Sequence, residues 1–108
     1  MPHEAAKLLA DARESVELIL SYVEGLSFED YLAQPQARDA VERRFTVIGE
    51  ALGRLKKLDP ERHARIRYTA EITAFRNIIV HVYDQLDHNI VWRIIHENLP
   101  DLREDLAD

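Results

Sequence analysis

An arginine, a histidine and a tyrosine stand inside an otherwise apolar run, "FRNIIVHVYDQ". They are Arg76, His81 and Tyr83, set among Ile78, Ile79, Val80 and Val82. Arginine offers a fixed positive fork that matches phosphate oxygens. Histidine titrates near neutrality and can take or give a proton. On an ideal helix the five-residue step from Arg76 to His81 turns through about 140°, so one helix does not readily aim both at one small target. Two copies crossing at a two-fold axis would do so, with two arginines and two histidines around a shared cleft. Asn77 and His81 are four apart, which places Asn77 to orient the imidazole. RNA suits such a cleft because it brings its own nucleophile, the ribose 2′-hydroxyl. One histidine would activate it, a second would protonate the leaving 5′-oxygen, and the arginines would stabilise the charged phosphorane. This chemistry calls for no metal and no cofactor, and the histidines His3, His63, His88 and His96 form no metal-ligand spacing.

The helix that must carry these residues has two distinct faces. Tyr68, Ile72, Phe75, Ile79, Val82 and Leu86 form one apolar stripe, enough to dock it on a bundle core. The opposite side holds Ala70, Thr73, Ala74, Asn77, Val80 and His81. A wet helix face normally carries Lys, Glu, Arg or Gln, so this face is expected to be covered, most simply by a second copy of the chain.

The remaining elements follow from punctuation and period. Three glycines, no hairpin signal and apolar residues at helical spacing predict an all-α, up-and-down bundle forming a single domain over residues 1–108. The first helix is expected over about Pro2–Glu24, closed by Gly25, with a buried stripe of Ala5, Leu8, Leu9, Ala12, Val16, Ile19, Leu20 and Val23. Ser27 and Asp30 read as a variant capping box for a short turn of helix. The second long helix is expected over about Gln36–Leu58, with Val41, Phe45, Ile48, Leu52 and Leu55 as its seam. Gly49 and Gly53 lie on one face of it, which suggests the close approach of another helix backbone. Glu50 between them reads first as a partner of Arg54, with a supporting contact to Arg76 as the alternative. The motif helix is expected from Thr69 to about Tyr83 and a further helix from near Asp87, where Trp92, Ile95 and Leu99 read as core. The acidic segment after Pro100 is expected to fray, and the arginines of "ERHARIR" to form a solvated face.

Composition bounds the function classes. A net charge of −6 argues against general duplex DNA binding, which needs a basic surface. The absence of cysteine removes disulfides, thiol nucleophiles and zinc–thiolate sites. No apolar run approaches a membrane span, and the first residues do not have signal-peptide shape, so the chain reads as cytoplasmic.

At "RNIIVHVY" the chain resembles the Arg-x4-His-x-Tyr motif of the HEPN superfamily, specifically the HepT-like toxins of toxin–antitoxin pairs. "AVERRFTVIGEALGRL" resembles the family's preceding helix and "LDHNIVWRIIHENLPDL" its following segment, so nearly the whole chain is covered. The resemblance implies a helical bundle that dimerises through the motif helix. It implies a metal-independent ribonuclease toxin with Arg76 and His81 as the catalytic pair and Asn77 as the supporting polar residue. It further implies an antitoxin partner of the minimal nucleotidyltransferase (MNT) type, able to transfer AMP to the motif tyrosine, here Tyr83. The added phosphate would place charge and bulk where RNA should sit. The alternative the family allows is a non-catalytic module that docks on a nucleotidyltransferase and presents a substrate to it.

Overall fold

Single residues set where each helix begins and ends. The computed structural model describes residues 2–82 and 86–107. Helix α1 (Pro2–Val23) ends before Gly25, whose φ of +77° supplies the left-handed turn. Helix α2 (Phe28–Ala33) starts on the expected reciprocal box: Asp30 N–H donates to Ser27 Oγ at 3.0 Å and Ser27 N–H donates to Asp30 Oδ2 at 3.1 Å. Helix α3 (Pro35–Leu58) opens on Pro35, where a missing N–H is harmless. Asp59 then caps the short α4 (Pro60–Ala64) by accepting from Arg62 N–H. Helix α5 (Thr69–His81) carries the motif, α6 (His88–Glu97) starts on the Asp87 cap, and α7 (Leu99–Leu106) closes the chain. Among the described residues there is no strand, so the fold is all-α. Nor is any described helix long and apolar enough to cross a membrane.

Helix α3 is the spine, packed on α1 along one side and on α5 along another. Its seam of Val41, Phe45, Ile48, Leu52 and Leu55 is fully buried, as the spacing predicts. From α1 it meets Ala12, Val16 and Ile19, and from α5 it meets Ile72, Phe75 and Ile79. Phe45 and Phe75 pack edge to face, with ring centroids 5.0 Å apart. Three expected members of the α5 stripe depart from it, Leu86 being half-buried and beyond the last residue of α5. Tyr68 is only half-buried and takes a left-handed φ of 67° just before the helix. Val82 is exposed because α5 ends at His81.

The segment after Pro100 does not fray. Leu99, Leu102 and Leu106 recur at helical spacing and are fully buried, docking α7 on α1. The arginines of "ERHARIR" hold it from the other side. Arg62 donates through Nη2 to the carbonyl of Asp105 at 2.9 Å. Arg67 donates from Nε and Nη2 to the two carboxylate oxygens of Asp105 at 2.9 and 3.0 Å. Two of these arginines are therefore pins between the α4–α5 connection and α7.

Hydrogen bonding from Arg67 holds the Asp105 carboxyl below the usual carboxylate range. A carboxylate depressed in the folded state stabilises the fold above its unfolded pKa, and that stabilisation is lost as pH falls through the folded value. Asp105→Asn is therefore expected to lower the urea midpoint at pH 7. It is also expected to lose less of that midpoint than the wild type between pH 5 and pH 3. Parallel slopes in the two proteins would remove Asp105 from the acid limb.

Candidate active site

The site is built on the contact between α3 and α5, and its geometry begins with a glycine. A Cβ placed on Gly49 would lie 2.5 Å from Arg76 Cβ and 2.6 Å from Arg76 Cγ. Gly49 therefore admits the Arg76 stem, where sequence reasoning expected a helix backbone. The guanidinium is then tied at both ends. Nη2 donates to Glu50 Oε1 at 3.0 Å and Nη1 donates to Asn77 Oδ1 at 3.0 Å. Nε is buried without a hydrogen-bond partner among the described residues. With its side chain 25% exposed, Arg76 is fixed in orientation without being fully withdrawn from solvent.

Two expectations change here. Glu50 pairs with Arg76, the alternative reading, and not with Arg54, because α5 lays the Arg76 stem against Gly49, the residue before Glu50. Asn77, expected to steady the imidazole, turns its oxygen to Arg76 instead. His81 is the last residue of α5, exposed and without a side-chain hydrogen bond among the described residues. No hydrogen bond joins Arg76 to His81 within the chain, as the 140° step requires. Around His81 lie three exposed apolar side chains, Ile78, Val80 and Val82, each 37–41% exposed. Tyr83 lies outside the described residues. Among those residues no group of His, Asp or Glu is arranged to hold a metal ion.

The family model described as "Ribonuclease HepT-like" matches residues 12–108, which include α3, α5 and every residue of this site. The chain belongs to the HepT-like family. It is 30% identical over 95 residues to a protein of Caldanaerobacter subterraneus subsp. tengcongensis provisionally named as an RNase, covering 88% of this chain and 84% of that one. It is 31% identical over 99 residues to a protein of Thermococcus cleftensis named as a probable ribonuclease HepT, covering 88% and 86%. A Methanocaldococcus jannaschii protein provisionally named as an RNase is 24% identical, over 91% of this chain and 89% of its own. No solved structure matches. At the level of the family, then, the HepT-like chain is of the RNase type.

What sequence reasoning missed at this site is the role of its floor. Gly49 and Gly53 were visible as a pair, but only the fold separates them: nothing lies within 4 Å of a Cβ built on Gly53. His63 and Lys56, given no role from sequence, line a cavity of about 370 Å³ between α3, α4 and α5. Their separation along the chain and their ordinary surface types hid them.

Proposed function

We propose that this chain is a metal-independent endoribonuclease, the toxin of a toxin–antitoxin pair, acting as a homodimer with Arg76 and His81 of both copies at one cleft. The observation that carries the reading is Arg76 itself. A guanidinium seated over a glycine, held by Glu50 and Asn77 and partly exposed is prepared for a phosphate. The exposed Ile78, Val80 and Val82 beside His81 supply an apolar face for the second copy. In the cleft, one His81 removes the 2′-hydroxyl proton and the 2′-oxygen attacks phosphorus. The bond from phosphorus to the 5′-oxygen breaks, and the second copy's His81 protonates that oxygen. The products are a 2′,3′-cyclic phosphate and a 5′-hydroxyl, with no water consumed. Family membership supports an MNT nucleotidyltransferase as antitoxin and Tyr83 as the residue it would modify with AMP.

The test is RNA cleavage by purified protein in excess EDTA, after intact mass has shown Tyr83 unmodified. Wild type is expected to cut and to leave cyclic phosphate ends, and His81→Ala to leave RNA intact while keeping its thermal midpoint. Unmodified wild type that spares a broad RNA panel would overturn the reading. The chain would then be better described as a docking module for a nucleotidyltransferase.

A further inference from the structure

Two cavities of about 370 and 350 Å³ adjoin along the outer side of the α3–α5 contact, sharing Gly53, Thr73 and Asn77 in their walls. Together they form one shallow groove that ends at Arg76. Its floor is made of small side chains from α5 and the bare backbone of Gly53. Its charged walls carry Arg54, Lys56, Lys57 and Arg76 against a single carboxylate, Glu50. In a chain of net charge −6 that is a local reversal of sign. Like most of the chain's cations, Arg54, Lys56 and Lys57 make no ion pair among the described residues. Gly53 adds an independent observation. A glycine inside a helix costs about 1 kcal/mol relative to alanine, and no contact within the described residues requires it. It leaves the groove floor flat where a passing chain would otherwise meet a side chain.

We infer that this groove binds the sugar–phosphate backbone of single-stranded RNA adjacent to the phosphate held by Arg76, with Lys56 and Lys57 as the principal phosphate contacts on either side of Gly53. The inference rests on the ribonuclease reading for its choice of ligand, but it concerns binding and not the chemical step. Lys56 and Lys57 are exposed, and each is a strongly hydrated charge on a flexible stem, which suits sequence-independent contact with a flexible strand. His63, at the far end, adds a neutral imidazole able to hydrogen-bond a phosphate or a sugar hydroxyl, since burial first and Lys56 second hold it below its ordinary pKa. A second copy fits this groove poorly. If a two-fold axis ran over its Lys56–Lys57 end, those lysines would face their own copies with no shared phosphate between them. The apolar residues at the other end of α5 offer a copy the better face.

The test is fluorescence anisotropy of a labelled, unstructured RNA oligonucleotide in EDTA, titrated at several salt concentrations in the His81→Ala background so that the RNA survives. Lys56→Gln/Lys57→Gln is expected to weaken binding about tenfold and to flatten the log–log salt dependence by roughly 1.4, about 0.7 for each phosphate no longer neutralised. Gly53→Glu, whose Cβ meets open space, is expected to keep its thermal midpoint and to weaken binding at least as much. Lys7→Gln, paired with Asp11 on α1, is the control and is expected to change neither. Unchanged affinity and slope in both groove variants would overturn the inference, as would a parent His81→Ala protein that does not bind RNA. If the variants instead change the mass in solution and leave RNA affinity alone, the groove is a contact between copies and the inference falls. Protein that binds RNA through these lysines but does not cut it would keep the groove and sink the ribonuclease reading. Protein that cuts normally with both lysines replaced would do the reverse.

Discussion

Arg76→Lys is expected to lower the rate of RNA cleavage by about 10²–10³-fold, the loss typical of removing one donor from a charged transition state. The charge survives this substitution, so the expected loss comes from geometry. Arg76 reaches Glu50 and Asn77 with different nitrogens of one planar group, which fixes the plane of the fork. A lysine ammonium is a single point on a flexible stem. It would settle on Glu50 and present no fork to the phosphorane. Gly49→Ala tests the same geometry from beneath. Alanine favours the helix by about 1 kcal/mol, whereas the methyl group would sit 2.5 Å from Arg76 Cβ. Relieving such a contact costs about 1–3 kcal/mol. The net cost is about 0–2 kcal/mol, the stem has to shift, and about an ångström of displacement is enough for a loss near 10²-fold. Single-turnover cleavage with the urea midpoint measured on the same samples separates the two effects. A Gly49→Ala protein that cuts at the wild-type rate would mean that this close approach does not set the position of Arg76.

The sequence was most legible where a single period or a single cap decides the outcome. The α3 seam from Val41 to Leu55 and the Ser27–Asp30 box are local statements, and both hold in the fold. It was least legible where a long-range contact overrides a local default. Glu50 had a natural partner four residues away in Arg54, but the ion pair forms with Arg76, 26 positions distant, because α5 lies against that face of α3. The acidic tail looked like a fraying end on charge alone. Its Leu99, Leu102 and Leu106 pattern was readable, but the Arg62 and Arg67 contacts that hold α7 required the fold.

Tyr31 was hidden for a different reason. It sits in a six-residue helix too short to display a period, yet it is completely buried, stacked near Phe28 and Trp92 and hydrogen-bonded through its hydroxyl to His88 Nδ1 at 3.0 Å. Burial pushes its phenol well above the ordinary value. Together with Trp92 it joins α2 to α6, the helix that follows the motif.

Phe45→Ala is expected to destabilise the fold by about 3–5 kcal/mol. The ring is fully buried at the centre of α3, and its edge-to-face partner Phe75 immediately precedes Arg76. A domain of this size typically holds about 5–15 kcal/mol in total, so the variant would keep only part of its stability and its thermal midpoint would fall by roughly 15 °C or more. Leu58→Ala, at a side chain 41% exposed at the end of the same helix, is expected to stay within about 0.5 kcal/mol of wild type. The pair distinguishes a packed α3–α5 seam from general intolerance of α3 to shortening. A Phe45→Ala cost below about 1 kcal/mol, the scale of an ordinary substitution, would mean that the ring pair does not fasten α5. Arg76 would then depend on Glu50 and Asn77 alone for its position, and the activity of Phe45→Ala measured well below its midpoint would match wild type. With the seam as described, that activity falls as well, because the cavity opens directly beneath the turn that carries the guanidinium.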